Sequence, residues 1–327
     1  MTGRLHREVE SMYGGIRLIG GTSTPNLAQE ISDYLYTPLS GRDIIEFPNE
    51  NIFVRLHSSA RGQDVYVIQT TSSPVNYNLM ELLIVLQTLR LDSAARITAV
   101  IPYLCYSRSD KKDQPRVPIT ARLVADMIEA AGADRYITID LHAGQIQGFF
   151  SIPGDVLTAF HMLSDYFVAK RSEMVDPVIV TADLGFAKKG RNFAAKINAP
   201  MAFIEKRRTG NDANAEAMTV IGDVNGKDVI IVDDEVDTAG SVSQAVNIVR
   251  DHGARNVYLS FVHPVLSGPA VDRLKKLELT EIVTTNTIPV PPHKKLPNMT
   301  ILSVAPLLGE VIRRAHEGRS VGEMFNE

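Results

Sequence analysis

The segment between residues 229 and 241 combines residue types that suit a sugar phosphate. An apolar run, Val229–Val232, ends at two adjacent carboxylates, Asp233 and Asp234, and a Thr-Ala-Gly-Ser stretch follows Asp237. Backbone N–H groups at the start of a helix, helped by hydroxyls and by the close approach that Gly allows, suit a phosphate monoester. The carboxylates would accept hydrogen bonds from sugar hydroxyls or hold a divalent cation. The alternative is an acidic turn with a helix cap, but the ordered combination favours a sugar-phosphate site.

Two further segments concentrate positive charge in a chain whose net charge is −4. The first carries Arg108, Lys111, Lys112 and Arg116, offset by Asp110 and Asp113. The second carries Lys206, Arg207 and Arg208 and runs into a polar stretch that contains Gly210. A local positive site would attract a triphosphate, and a flexible cationic loop can close over phosphates during transfer. The alternative for each segment is a solvated charged surface.

The elements that would position these residues are short β-branched runs alternating with helix-like segments. Strands are predicted at 16–19, 52–56, 65–69, 97–101, 136–139, 178–180, 201–204, 229–232, 257–262 and 282–285. Helices are predicted at 26–36, 78–91, 119–131, 156–170, 187–197, 242–251, 269–277 and 306–317. This alternation indicates an α/β fold with mostly parallel sheets. Ligands of such sheets bind at the carboxyl edge of the strands, where Asp233 and also His142 are expected.

Length and composition bound the remaining possibilities. The 327 residues predict about two domains, and we place them at 1–152 and 153–327, near the irregular Pro153-Gly154. The mild net charge argues against a nucleic acid groove and against a polybasic membrane anchor. The single Cys105 and the absence of an export signal predict a cytoplasmic location. The chain contains neither a P-loop nor a Gly-x-Gly-x-x-Gly motif, which disfavours P-loop kinases and dinucleotide-binding enzymes.

These segments together resemble a known family. The 233–241 loop is similar to the ribose 5-phosphate loop of the type I phosphoribosyltransferase fold. The runs Tyr106–Arg122 and Asp140–Phe150 resemble, more narrowly, ribose-phosphate diphosphokinase, and the likeness extends from Glu46 through His263–Ala270 to Ser303–Leu308. The resemblance implies two tandem phosphoribosyltransferase-type domains, each a mostly parallel sheet flanked by helices.

The resemblance also implies a reaction and a set of site residues. The reaction is transfer of the diphosphoryl group of ATP to the 1-hydroxyl of ribose 5-phosphate, with Mg²⁺ as cofactor. The implied catalytic pair is Lys206 and Arg208. The implied ATP-binding residues are Phe47, Asn49, Glu50, Asn51, Arg108, Ser109 and Asp113. Ribose 5-phosphate is assigned to Arg208, Asp233, Asp234, Asp237, Thr238, Ala239, Gly240 and Ser241. The implied magnesium ligands are His142 and Asp183, with His142 in direct contact or acting through a water.

This chain departs from the family pattern in the nucleotide loops, with Glu50 for Gly, Asn51 for Glu and Ser109 for Gln. Two other functions stay open: a non-catalytic regulatory subunit of the same fold, and a nucleobase phosphoribosyltransferase. Partners beyond the two substrates are expected to be further copies of the chain, a hexamer by resemblance. The nearly all-apolar helix at 78–91 is compatible with a subunit contact, although burial within its own domain explains it equally well.

Overall fold

The computed structural model describes residues 13–181, 186–208 and 216–325. The chain divides into two compact units, after Leu157 and again after Ser303, so that the C-terminal segment returns to the first unit. The ranges 1–152 and 153–327 stay a prediction, and in the structure residues 154–157 and 304–325 lie within the first unit. Within the described ranges, no helix combines the length and the apolar composition that crossing a membrane requires.

The first unit is built on a sheet of five parallel strands in the order β1-β4-β5-β6-β7. A separate antiparallel hairpin, β2–β3, packs against α2. The elements of this unit are β1 Ile16–Gly20, α1 Pro25–Leu35, β2 Arg42–Glu46, β3 Ile52–Leu56, β4 Asp64–Ile68, α2 Val75–Leu91, β5 Arg96–Ile101, α3 Thr120–Ala131, β6 Arg135–Ile139, β7 Gly154–Leu157 and, from the end of the chain, α8 Ala305–His316. β4 and β5 are buried along their whole length, as strands covered on both faces must be.

The second unit has a seven-stranded sheet in the order β10-β9-β8-β11-β12-β13-β14. All neighbouring strands are parallel except β10, which runs antiparallel to β9. Its elements are α4 Phe160–Ala169, β8 Val178–Thr181, α5 Ala187–Ile197, β9 Met201–Arg208, β10 Glu216–Ile221, β11 Asp228–Glu235, α6 Gly240–Asp251, β12 Asn256–His263, α7 Ala270–Lys276, β13 Glu281–Thr285 and β14 Met299–Leu302.

The two sheets repeat one topology. The order β1-β4-β5-β6-β7 in the first unit matches β8-β11-β12-β13-β14 in the second, and in each unit an antiparallel hairpin follows the first helix of the repeat. In the second unit this hairpin joins the sheet through β9, whereas β2–β3 forms a sheet of its own. The predicted α/β fold with two similar units is therefore confirmed.

The structure corrects several predicted boundaries. The helix predicted from residue 156 begins at Phe160, because Gly154–Leu157 pairs with β6 as a strand. The strand predicted at 201–204 continues to Arg208, because β10 pairs along its extension. Four strands were not predicted, namely β2, β7, β10 and β14. Seven of the 17 residues of α2 are buried within its own unit, whereas Met80 and Leu91 on it are exposed.

α8 contacts the first unit at Gly309 and at its C-terminal end. At Gly309 the helix lies so close to α1 that an added Cβ would overlap with the ring of Tyr34. At its C-terminal end, Nδ1 of His316 lies 2.7 Å from Oδ2 of Asp64, which is fully buried. Arg96 donates to both carboxylate oxygens of Asp64, at 2.8 and 2.6 Å, and to the carbonyl of Ala315 at 3.0 Å. A buried charge cluster thus joins β4 and β5 to the end of the chain.

Candidate functional site

The adjacent carboxylates Asp233 and Asp234 lie at the carboxyl edge of the second sheet. They follow Val232, which pairs with Thr181 of β8 on one side and with Ser260 of β12 on the other. β11 is therefore an interior strand, and Asp234 is only 6% exposed. The Asp234 N–H donates to Oδ1 of Asp233 at 2.8 Å and the Glu235 N–H donates to Oδ1 of Asp234 at 2.9 Å, so both side chains are held close to the backbone of the strand end.

Electrostatics at this strand end favour a ligand that relieves negative charge. Burial, and then the charge of the neighbouring Asp234, raise the pKa of Asp233 well above its usual value. Burial raises it because the ionised form loses hydration, and Asp234 raises it because like charges repel. Hydroxyl donors of a sugar or a divalent cation would offset both effects. The prediction that these carboxylates serve a sugar-phosphate site is consistent with this geometry.

The loop that follows leads directly into a helix N-terminus. Ala239 adopts the left-handed conformation with φ 59° and ψ 19°, and α6 begins at the next residue, Gly240. Ser241 therefore lies in the first turn of α6, three residues after the exposed Thr238. The unpaired N–H groups and the dipole at a helix start favour an anion. The strand-loop-helix arrangement predicted from the sequence is present.

A second loop, which contains Leu266 and Ser267, forms hydrogen bonds with the loop before α6. The sequence analysis gave this second loop no role. Ser267 donates its hydroxyl to Oδ1 of Asp237 and its N–H to the Asp237 carbonyl at 3.0 Å. The N–H of Leu266 donates to the Val236 carbonyl at 2.9 Å. These residues belong to the His263–Ala270 run that carries part of the family resemblance. Their contacts with the loop join residues about 30 positions apart, which no local sequence pattern indicates.

The catalytic pair predicted at Lys206 and Arg208 lies on a strand rather than in a loop. Phe203 is level with Thr181 at the sheet edge, and β9 continues five residues beyond it, about 17 Å at roughly 3.3 Å per residue. Along this extension Lys206 pairs with Met218 and Arg208 with Glu216 of β10. The hairpin thus projects beyond the edge that holds Asp233. Mobility is predicted for the loop of residues 205–212, of which residues 209–212 lie outside the described residues.

In the first unit, two loops meet at the carboxyl edge of the sheet. Residues 102–119 follow β5, residues 140–149 follow the adjacent β6, and the side chain of Gln145 donates to Asp110 across them. His142 is exposed at this edge, whereas Asp140 is buried with a φ of 40°. The structure therefore brings the loop of the first cationic segment next to the segment that contains His142.

Ser109 closes the cationic loop onto α3. Its Oγ accepts the N–H of Thr120 at 3.2 Å, and its carbonyl accepts the N–H of Ala121 at 3.1 Å. Arg108 and Asp113 are exposed on the same loop. The residue that replaces the family's usual Gln thus has a structural partner at the helix start.

The predicted adenine-binding residues form the tip of the β2–β3 hairpin. The Phe47 N–H donates to the Asn51 carbonyl at 2.9 Å, and the Glu50 N–H donates to the Phe47 carbonyl at 2.8 Å. Glu50 has a φ of 65°, a conformation that favours Gly and explains why the family usually has Gly there. Asn49 accepts the Asn51 N–H at 3.3 Å. Phe47 is 46% exposed, so its ring is accessible to a base.

Magnesium ligands are described only in part. Asp183 lies outside the described residues, so its pairing with His142 stays a prediction. Over residues 13–181, 186–208 and 216–325, no three His, Cys, Asp or Glu side chains are grouped closely enough to hold a metal by themselves.

Comparison with known proteins finds a match to a family model in each of the two units. Residues 16–132 match the family model described as the N-terminal domain of ribose phosphate pyrophosphokinase, and residues 209–326 match that of the phosphoribosyl synthetase-associated domain. The chain is 49% identical to ribose-phosphate pyrophosphokinase of Caldanaerobacter subterraneus, covering 95% of this chain and 98% of that one. It is 45% identical to the enzyme of the same name from Aquifex aeolicus, covering 95% and 99%.

A solved structure is similar over nearly the same span. The crystal structure of phosphoribosylpyrophosphate synthetase from Mycobacterium smegmatis superimposes with a TM-score of 0.88 at 40% identity. The match covers 93% of this chain and 99% of that one. The likeness therefore extends over both units and is not confined to the ribose 5-phosphate loop.

Proposed function

The chain belongs to the ribose-phosphate pyrophosphokinase family, and we propose that it transfers the diphosphoryl group of ATP to the 1-hydroxyl of ribose 5-phosphate, giving 5-phosphoribosyl 1-diphosphate and AMP. The observation that carries this proposal is the strand-loop-helix of residues 228–251. Two carboxylates and a helix N-terminus lie there within a few residues of each other at one sheet edge. That combination suits a sugar that carries a phosphate.

Ribose 5-phosphate is held in this proposal by two kinds of contact. Asp233 and Asp234 accept hydrogen bonds from the ribose hydroxyls, and the 5-phosphate binds the N–H groups and hydroxyls of residues 237–241. The raised pKa of Asp233 supports this assignment, because hydroxyl donors stabilise a crowded carboxylate. A helix start with the tightly turned Ala239 supports the phosphate assignment.

The chemical step needs no nucleophile from the protein. The 1-oxygen of the ribose attacks the β-phosphorus of ATP, an O–P bond forms, and the bond from the β-phosphorus to the bridging oxygen breaks, so that oxygen leaves with AMP. The hydroxyl proton is released to solvent. We assign Lys206 and Arg208 to the transferring group, where positive charge offsets the charge that develops. Their place on a hairpin that projects past the sheet edge supports this assignment.

The nucleotide side of the proposal rests on the first unit. The accessible ring of Phe47 would pack against adenine, with Asn49, Glu50 and Asn51 beside it, while Arg108, Ser109 and Asp113 lie on the cationic loop. Comparing ATP, GTP and dATP as donors tests this side. Equal rates with all three would argue against base and ribose recognition by these residues.

Mg²⁺ belongs to the same proposal. By resemblance, His142 and Asp183 would hold the cation, and His142 is exposed. When bound, the cation neutralises charge on the ATP phosphate oxygens. Omitting Mg²⁺, or replacing it with EDTA, should abolish AMP formation.

Self-association into a homo-oligomer, a hexamer by resemblance, is also a proposal. It is supported by apolar side chains that the first unit leaves exposed, namely Ile45 at 44%, Phe53 at 42% and Met80 at 51%. Light scattering after size exclusion gives the assembled mass. A monomeric mass would contradict the proposal. Cytoplasmic location and the absence of nucleic acid and membrane partners stay predictions from the sequence.

One assay tests the reaction. Purified protein is incubated with ATP, Mg²⁺ and ribose 5-phosphate, and the nucleotides are separated by chromatography. We expect AMP only when ribose 5-phosphate is present. AMP without ribose 5-phosphate, ADP in place of AMP, or no turnover would contradict the proposal. Diphosphate release from phosphoribosyl diphosphate and a nucleobase would instead indicate a nucleobase phosphoribosyltransferase, and absence of both reactions a regulatory subunit.

A further inference from the structure

Arg273 of α7 lies beside the loop that we assign to the 5-phosphate. Its Nη1 donates to the Thr238 carbonyl at 2.9 Å. The same nitrogen is 3.5 Å from the position that a Cβ on Gly240 would occupy, so the guanidinium stands next to the first residue of α6. Arg273 is exposed, whereas its neighbours Ala270 and Leu274 are buried and fix α7 in place.

The direction of the Thr238 carbonyl determines the direction of the next N–H. In a planar trans peptide the C=O and the N–H point in opposite directions. A Thr238 carbonyl turned toward Arg273 therefore turns the Ala239 N–H away from Arg273. Ala239 also has a φ of 59°, which is unfavourable for a residue with a Cβ and is maintained only when the surroundings restrain the chain.

We propose that Arg273 is a positioning residue for ribose 5-phosphate, acting through the Thr238–Ala239 peptide. Its hydrogen bond keeps the Thr238 carbonyl from turning toward the bound phosphate and keeps the Ala239 N–H available to it. Its charge adds to the positive potential of the α6 N-terminus. This inference rests on the proposed function, because it concerns the substrate that the proposed function places in this loop.

The effect should fall on one substrate and one kinetic constant. Replacing Arg273 with Met removes the charge and the donor but keeps a side chain that can cover the same surface. We expect the KM for ribose 5-phosphate to rise about ten-fold, the size of effect that follows from losing a hydrogen bond with a charged donor. The KM for ATP and kcat should stay within about two-fold, since Arg273 contacts neither ATP nor the transferring group in this scheme.

Two further variants separate positioning from a merely structural role. Arg273→Lys keeps a charged donor and should recover most of the lost affinity. Arg250→Met is the matched control, because Arg250 also donates to a carbonyl in this unit, that of Glu278 at 2.9 Å, but at the other end of α6. We expect this control to leave the KM for ribose 5-phosphate unchanged. Melting temperatures of all variants are measured alongside.

The inference is overturned if Arg273→Met leaves the KM for ribose 5-phosphate unchanged, or if that variant and Arg250→Met change it equally. A fall in kcat and a rise in both KM values by the same factor, together with a lower melting temperature, would also overturn it. Failure of the proposed function has a different signature, because the unmodified protein would then form no AMP. In that case calorimetric binding of ribose 5-phosphate alone, compared between the unmodified protein and Arg273→Met, still tests the role of Arg273.

Discussion

Replacing Asp64 with Asn removes one charge from the buried cluster that joins α8 to the first unit. Asp64 is fully buried and accepts hydrogen bonds from Arg96 on both oxygens, at 2.8 and 2.6 Å. Tyr66 donates to Oδ2 at 3.0 Å, and Nδ1 of His316 lies 2.7 Å from the same oxygen. Asn would leave the Arg96 charge without its partner while changing the shape of the side chain very little.

The expected loss of stability follows from the burial of both Asp64 and Arg96. Arg96 is only 8% exposed, so its guanidinium cannot be hydrated when the carboxylate is gone. Breaking a buried ion pair by removing one partner costs about 3–5 kcal/mol, a large part of the roughly 5–15 kcal/mol that separates folded from unfolded protein. We therefore expect Asp64→Asn to lower the free energy of unfolding by about 3–5 kcal/mol.

The chain offers a matched control. Asp126 pairs with Arg122 at 2.8 Å, four residues apart on α3, with both side chains 48% exposed. Because pairs of this kind contribute only about 0.3–0.5 kcal/mol, Asp126→Asn should change stability far less. Urea unfolding is followed by far-ultraviolet circular dichroism, since the chain contains no Trp. A loss for Asp64→Asn no larger than that for Asp126→Asn would refute the reasoning.

The same cluster predicts a dependence on pH. Burial acts to raise the pKa of Asp64, but hydrogen bonds from His316 and Arg96 outweigh it and hold the pKa below its usual value of 3.8. A lowered carboxyl pKa contributes stability that is present above the unfolded value and is lost as the pH falls through the folded one. The unmodified protein should therefore lose more stability than Asp64→Asn as the pH falls below about 4.

Three further predictions concern single side chains. Lys206→Ala should lower kcat by at least ten-fold and leave binding of ribose 5-phosphate nearly unchanged, as measured by kinetics and calorimetry, and equal loss of both would contradict its place at the transferring group. Asp233→Asn should raise the KM for ribose 5-phosphate. Burial and the charge of Asp234 raise the pKa of Asp233, so ionisation of Asp233 lowers the stability of the folded protein as the pH rises through that raised value. Asp233→Asn should therefore resist urea better than the unmodified protein at pH 7. A variant that is less stable than the unmodified protein would contradict this. Cys105 is buried and burial raises its pKa to about 11, so we expect a thiol reagent at pH 8 to modify it only after denaturation, and rapid modification of the folded protein would contradict its burial.

Local patterns were sufficient for most elements and for the strand-loop-helix of residues 228–251. The apolar run before Asp233, the carboxylate pair and the helix start are consecutive in the chain, so a short window contains the whole feature. Strands with little β-branched character, such as Gly154–Leu157, were missed because they exist through pairing with a distant neighbour.

The sequence by itself determined the α/β class from short local patterns and the family from runs of residues spread over most of the chain. It also identified the candidate site segments, because each of them is consecutive in the chain. The tertiary structure decided which distant residues support them. It returned α8 to the first unit through Asp64 and His316, extended β9 along β10, and set Ser267 and Arg273 against the loop before α6. Such contacts depend on strand register and on which surfaces pack together, and local conformational preference contains no information about either.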